Sequence, residues 1–254
     1  MEFDQYKSYQ PGDDLRQMDW KMFARSDRYY IREAEVDTSI AVRFVIDASA
    51  SMAHCDTNGL SKMDYARFLI AALAYLAHAQ GDAIGLYVLQ DQGLVNLTPR
   101  HDSMHLQRFW HQLARLEPAG RFPEENTSNA LFSGKRQKEI TVFISDLYEQ
   151  KEEISDLVYR LQARRNEVLC FHLMGQNETA FTYEGNLTFE DLETNERVPV
   201  EAAQLRKKYL ERVQAFLKTV REATQKKQIA YHLFTLHQPL DEALRQFLIN
   251  RLRI

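Results

Sequence analysis

Apolar and polar positions form blocks along the chain that predict strands and helices in alternation. Short apolar runs rich in β-branched and aromatic residues predict strands at 40–46, 83–89, 140–145, 168–174 and 229–236. The blocks between them predict helices at 62–79, 105–116, 151–164, 201–225 and 240–252. Because strands that alternate with helices form a parallel sheet covered on both faces, we expect a doubly wound, mostly parallel α/β fold.

Three segments depart from this alternation. A turn signal at 91–93 predicts that a strand at 94–97 pairs antiparallel with the preceding strand at an edge of the sheet. Residues 187–200 alternate loosely around a turn, which predicts a small hairpin excursion. The polar and aromatic start of the chain predicts an N-terminal arm at 1–38, with a strand at 31–35 leading into the sheet of one α/β domain at 39–254.

The chain is organised around the predicted strand 40–46 and the loop that follows it. The loop places Asp47, Ser49 and Ser51 at alternate positions, separated by small alanines. Carboxylate and hydroxyl oxygens suit a hard cation such as Mg²⁺. The same residue types also form an ordinary turn that caps the next helix, so the loop alone leaves both interpretations open.

Two later segments add oxygen-bearing side chains. The strand 140–145 is followed by Asp146, and the segment 126–131 carries Thr127 at the start of a short helical turn. In doubly wound folds, ligands bind beyond the carboxyl ends of the strands, where the strand order reverses. We therefore expect one site formed by Asp47, Ser49, Ser51, Thr127 and Asp146.

The order of these five residues resembles the metal-ion-dependent adhesion site of von Willebrand factor A domains. Residues 9–20 (YQPGDDLRQMDW), followed by Ala24 and Arg25, resemble the signature of the bacterial domain-of-unknown-function-58 family, whose members join that signature to such a domain. The resemblance covers most of the chain and is weakest over 177–200.

This resemblance implies a division of roles within the site. Ser49, Ser51 and Thr127 would supply hydroxyl ligands, whereas Asp47 and Asp146 would act largely through water. The implied metal is Mg²⁺, with Mn²⁺ or Ca²⁺ as alternatives, and it keeps an exchangeable position for the Asp or Glu carboxylate of a partner. Family members are commonly found with MoxR-type AAA ATPases, so the resemblance implies a protein-binding accessory of such an ATPase in protein assembly or maturation.

The competing class is an enzyme, in which the same oxygen cluster would serve a magnesium-dependent phosphate-ester hydrolase. The sequence has no Gly-x-x-x-x-Gly-Lys-Ser/Thr loop for nucleotide phosphates. Ser49 stands where Asp-x-Asp phosphatase chemistry would need a second carboxylate, and spacing assigns no base to either serine. We therefore expect a binding module rather than an enzyme.

Composition narrows the class of partner and the compartment. The formal net charge of -4 gives no electrostatic reason to expect nucleic acid. The 2 cysteines favour a reduced compartment over a disulfide framework. No run of about 18 apolar residues predicts a membrane span, and the N-terminal residues lack the basic start and apolar core of a signal peptide. We expect a cytoplasmic protein.

Overall fold

The computed structural model describes residues 5–9, 18–26, 28–33, 39–91, 93–123, 129–132, 139–148, 152–163 and 166–251. The chain divides into two compact units, Met1–Ser39 and Ile40–Ile254. Most of the family signature, residues 10–17, lies outside the described residues.

The first unit is built on an antiparallel strand pair. Strands β1 (Gln5–Ser8) and β2 (Tyr30–Glu33) pair with each other, and helix α1 (Trp20–Ser26) lies between them in the chain. Asp19 caps α1, because its Oδ1 accepts hydrogen bonds from the backbone N–H groups of Lys21 (2.9 Å) and Met22 (3.0 Å). The strand expected at 31–35 therefore exists as β2, but it pairs with β1 and is not a strand of the main sheet.

The second unit contains a six-stranded sheet in the order β10-β7-β6-β3-β4-β5. Its strands are β3 (Ala41–Asp47), β4 (Ala83–Gln90), β5 (Gly93–Arg100), β6 (Glu139–Ser145), β7 (Glu167–Met174) and β10 (Ala230–Thr235). All neighbours are parallel except β4 and β5, which form the predicted antiparallel edge pair.

Helices follow the strands at the places that the polar and apolar pattern predicts, except for one short helix at 176–180 that the pattern does not predict. They are α2 (Lys62–Ala79), α3 (Ser103–Ala114), α4 (Glu153–Gln162), α5 (Gln176–Ala180), α6 (Ala202–Lys226) and α7 (Leu240–Arg251). Helix α3 begins two residues before the predicted start, because the carboxylate of Asp102 caps it by accepting from the His105 N–H at 2.8 Å.

Two apolar clusters cover the two faces of the sheet. Successive side chains of a strand point to opposite faces, so Phe44 and Ile46 pack on the side of α2, α3 and α7, whereas Val45 packs on the side of α4 and α6. Buried aromatic residues such as Phe109 of α3 and Phe143 of β6 fill these layers. The predicted fold class, a doubly wound, mostly parallel α/β fold, is thus confirmed.

Between α5 and α6 the chain forms a separate two-stranded hairpin. Strands β8 (Asn186–Glu190) and β9 (Arg197–Glu201) pair antiparallel, as predicted for a hairpin excursion. We call residues 186–201 the β8–β9 hairpin. Among the described helices, none is both long and apolar enough to cross a membrane.

Candidate metal centre

Asp47 is held at the carboxyl ends of the two central strands. Its Oδ1 accepts a hydrogen bond from the Ser49 N–H (2.9 Å), and its Oδ2 accepts one from the Ser145 hydroxyl (2.7 Å). Because β3 and β6 are parallel neighbours, their last residues meet at the same edge of the sheet. The Asp47 side chain is therefore fixed between these strands and is fully buried.

The two serines of the loop place their hydroxyls side by side. The Oγ atoms of Ser49 and Ser51 lie 2.9 Å apart, and the Ser51 hydroxyl donates to Oδ1 of Asp146 at 3.2 Å. Ser51 is brought inward by a 3₁₀ turn over Ala50–Ala53. Four of the five predicted site residues thus converge, whereas the fifth, Thr127, lies outside the described residues.

Asp146 is paired with a buried lysine that sequence reasoning assigned only to the start of a helix. Lys62 Nζ lies 2.8 Å from Oδ2 of Asp146 and 2.8 Å from Oε1 of Glu178, and the lysine side chain is 4% exposed. One signal in the sequence was available, because a cation in the first turn of a helix opposes the helix dipole and calls for a compensating anion.

The lysine and the carboxylates shift one another's pKa. Burial alone would raise the pKa of Asp146, but the Lys62 ammonium and its hydrogen bond lower it below the usual range. Burial alone would lower the pKa of Lys62, yet the carboxylates of Asp146 and Glu178 raise it above its usual value. Both groups therefore remain charged at neutral pH.

Among the described residues, no cation acts on Asp47 in this way. Burial, and then the negative charge of Asp146, raise the pKa of Asp47 to about 6, although the Ser49 N–H and the Ser145 hydroxyl work in the opposite direction. The centre thus holds a buried carboxyl whose negative charge is poorly compensated. A bound cation would supply the missing positive charge.

A further carboxyl approaches the centre from the turn of the β8–β9 hairpin. Burial, followed by the charges of Asp47, Asp146 and Asp191, raises the pKa of Glu193 to about 7, while the Ser49 hydroxyl lowers it. Its Oε1 is shielded from solvent and accepts no hydrogen bond from the described part of the chain. Sequence reasoning missed Glu193, since neither its spacing nor its hairpin turn carries a metal-site pattern.

The hairpin turn is tied to the segment that follows β6. The Tyr148 hydroxyl donates to Oδ2 of Asp191 at 2.7 Å, and Oδ1 of Asp191 accepts from the N–H groups of Glu193 (2.8 Å) and Thr194 (3.1 Å). A cavity of about 610 Å³ is lined by residues of both the turn and the centre, among them Ser51, Lys62, Asp146, Asp191, Leu192 and Phe216.

The donor set fits a hard cation. Within the described ranges, no three Asp, Glu, His or Cys side chains form a metal cage by themselves, so a cation here would depend on hydroxyls and water for part of its shell. Mg²⁺ accepts such a shell, because it dehydrates reluctantly and usually keeps several waters. The uncompensated carboxyl of Asp47 and the unbonded Oε1 of Glu193 are the observations that favour a cation in this place.

The mostly parallel sheet with helices on both faces places this protein in the doubly wound class of α/β folds. Residues 5–218 match the family described as "Protein of unknown function DUF58", and the chain belongs to that family. This membership agrees with the resemblance to that family seen in the sequence.

Two mycobacterial proteins are similar to most of this chain. The chain is 28% identical over 189 residues to the uncharacterized proteins Mb1516 of Mycobacterium bovis and Rv1480 of Mycobacterium tuberculosis, and the match covers 73% of this chain and 59% of each relative. The chain therefore spans 59% of the length of these relatives.

Two solved structures share the fold at low sequence identity. BatB from Bacteroides thetaiotaomicron has a TM-score of 0.53 and 13% identity, covering 85% of this chain and 100% of that one. An aerotolerance-related membrane protein from Bacteroides fragilis has a TM-score of 0.55 and 16% identity, and the match covers 84% of this chain and 98% of that one. The VWA domain of SpRpn10 is matched at a TM-score of 0.47 and 13% identity, over 82% and 95% of the two chains.

Proposed function

We propose that this protein is a metal-dependent protein-binding module. The observation that supports it is the meeting of Asp47, Ser49, Ser51 and Asp146 at the carboxyl ends of β3 and β6, in a buried place with unbalanced negative charge. Ser49 and Ser51, together with Thr127, would offer neutral hydroxyl ligands to Mg²⁺, or to Mn²⁺ or Ca²⁺ in its place. When bound, the cation would supply an exchangeable position for an outside carboxylate.

The contacts of the serines favour binding over hydrolysis. The described hydrogen bonds of the Ser49 and Ser51 hydroxyls run to each other and to Asp146. His54, which follows the serines in the chain, lies with Nε2 3.0 Å from Oδ1 of Asn177, so its ring contacts a different segment. Nucleophilic catalysis requires a base within hydrogen-bond reach of the hydroxyl. Burial acts to raise the pKa of Asp146, but the Lys62 ammonium lowers it below the usual range, so the carboxylate that Ser51 contacts is a weak base. We therefore propose no catalytic role for either serine.

The partner that we propose is a protein that presents an Asp or Glu side chain, with a MoxR-type AAA ATPase or its client as the first candidate. The family resemblance supports this choice. Three neutral hydroxyls would leave much of the cation's charge uncompensated, and a partner carboxylate is the hard oxygen ligand that completes such a shell.

Thermal melting tests the metal. At a Mg²⁺ concentration ten times Kd, a ligand bound only by the folded state stabilises it by about 1.4 kcal/mol, which is roughly 3–6 °C for a domain of this size. Asp47→Asn, which keeps the side-chain shape, should abolish the shift, whereas Glu211→Gln at an exposed position should leave it intact. An equal shift in wild type and Asp47→Asn would refute the site.

A binding titration tests the partner. Wild type and Ser49→Ala are titrated with a purified MoxR-type AAA ATPase in Mg²⁺ and again in EDTA. We expect Ser49→Ala to weaken binding only in Mg²⁺, since both proteins lack the cation in EDTA. Binding of the wild type that is equally tight in EDTA would show that the interface lies elsewhere.

A further inference from the structure

The turn of the β8–β9 hairpin carries a carboxylate whose surroundings are unfavourable without a cation. The Glu193 N–H donates to Asp191, and the charges of Asp47 and Asp146 also act on the Glu193 carboxyl. Its Oε1 is shielded from water without accepting a hydrogen bond from the described residues. A buried acceptor without a partner costs about 1–3 kcal/mol, and more when it is charged.

The nearby ammonium does not provide the missing partner. Lys62 Nζ is already bonded to Asp146 and Glu178, both at 2.8 Å. The Ser49 hydroxyl is the group of the centre that acts on Glu193 favourably, and Ser49 is itself one of the predicted hydroxyl ligands. The glutamate therefore approaches the same point from which a cation would be held.

We propose that Glu193 is an additional, intrachain ligand of the cation, and that it holds the coordination position that a partner's carboxylate takes over on binding. This inference rests on the metal-dependent function proposed above and deepens it. The β8–β9 hairpin then acts as a built-in competitor, and partner binding exchanges one carboxylate for another.

Hydrogen bonds hold the hairpin turn in one position, as a tethered ligand requires. Asp191 binds the N–H groups of Glu193 and Thr194 with one oxygen and the Tyr148 hydroxyl with the other, so the turn is tied to a residue two positions beyond Asp146. A tethered carboxylate competes at an effective concentration in the millimolar range when the tether fits the distance. Only a partner whose carboxylate is accompanied by further contacts would displace it.

The cavity beside the turn shows where those contacts would form. It is lined on the hairpin side by Phe189, Leu192 and Val198, and on the α6 side by Val213 and Phe216. Leu192 and Val198 are exposed, at 42% and 50%. A partner segment with an acidic residue next to apolar ones would match both the centre and this apolar wall.

Mn²⁺ serves as the probe, because the relaxation rate of water protons reports both its binding and the number of waters that it carries. We expect Glu193→Gln to bind Mn²⁺ roughly tenfold more weakly than wild type, as is typical when a group that supports a metal site is lost. Once saturated, the variant should show higher relaxivity per bound Mn²⁺, because water replaces the glutamate. Glu196→Gln, an exposed position in the same turn, is the matched control and should behave as wild type.

Acetate distinguishes exchange from simple ligation. In the Mn²⁺-saturated Glu193→Gln protein, acetate should lower the relaxivity at concentrations at least about tenfold below those needed in wild type, since no tethered carboxylate competes. Melting in EDTA checks the fold, and the variant should be at least as stable as wild type, because one negative charge has left a negatively charged site.

The two proposals fail in different ways. If wild type shows no saturable Mn²⁺ binding, or if Asp47→Asn binds as well as wild type, the metal-dependent function is refuted and this inference with it. If Asp47→Asn abolishes binding but Glu193→Gln matches wild type in affinity, relaxivity and acetate response, only the role of Glu193 is refuted.

Discussion

Replacing Lys62 by methionine removes the ammonium that contacts Asp146 and Glu178 while keeping the unbranched side chain that begins α2. Both ion pairs are 2.8 Å long, and the lysine side chain is 4% exposed. Breaking a buried pair by removing one partner costs about 3–5 kcal/mol, because the remaining charge stays buried without compensation. For a domain of this size we expect the melting temperature in EDTA to fall by roughly 6–20 °C.

The same substitution should strengthen the response to Mg²⁺. The ammonium of Lys62 is bonded to Asp146, so in wild type it competes electrostatically with a cation in the centre. Without it, a divalent ion can neutralise Asp146, and the Mg²⁺-induced rise in melting temperature should be larger in Lys62→Met than in wild type. Differential scanning calorimetry in EDTA and in Mg²⁺ measures both effects.

Two controls make this test specific. Lys218→Met, at a side chain 78% exposed, should change stability by no more than about 0.5 kcal/mol. Lys62→Met combined with Asp146→Asn should be more stable in EDTA than Lys62→Met alone, since the uncompensated charge is gone. The reasoning is refuted if Lys62→Met melts like wild type in EDTA, or if its Mg²⁺ response is no larger.

Two further predictions concern groups away from the centre. Burial acts to raise the pKa of Asp56, but hydrogen bonds from the N–H groups of Thr57, Gln176 and Asn177 lower it below the usual range. Asp56→Ala should therefore lower the free energy of unfolding by about 1.5–3 kcal/mol at pH 7. A carboxyl whose pKa is lowered on folding stabilises the folded state at pH values above its unfolded pKa of 3.8. The difference in unfolding free energy between wild type and Asp56→Ala, measured in urea titrations, should therefore shrink as the pH falls below that value. Arg43 forms a buried ion pair with Glu139 at 2.9 Å, so Arg43→Met should destabilise the protein by about 3–5 kcal/mol in the same urea titrations. The double variant Arg43→Met/Glu139→Leu should be destabilised by less than Arg43→Met alone, because no charge is left unpaired.

The elements that the sequence could predict are those with a local signature. Strands β3, β6 and β7 are mostly apolar because both of their faces are covered by helices, and α2 carries a wide apolar face. Asp47, Ser49 and Ser51 stand together in one loop. Asp146 follows another strand of the parallel sheet, and the carboxyl ends of parallel strands meet at one edge, so its position near the loop could also be predicted. These features need no knowledge of distant contacts.

The missed residues reach the centre from segments without a periodic pattern. Lys62, Glu178 and Glu193 come from a helix start, a five-residue helix and a hairpin turn, and loop geometry decides where each of them points. The hairpin at 186–201 could be predicted as an excursion, but nothing in its alternation indicates what its turn faces. β5 was predicted too short, at 94–97 instead of Gly93–Arg100, because its second half contains Thr98 and Pro99.

Strand β5 has a consequence for how other proteins can attach to the sheet. Where β5 pairs with β4, the register shifts between Ile84 and Leu86, and a Cβ added to Gly85 would lie 2.8 Å from Pro99 Cδ. Proline offers no N–H, and an irregular register twists a strand, so both features blunt an edge against added strands. An extended peptide would find no continuous row of donors along β5, which disfavours edge-to-edge pairing on this side of the sheet.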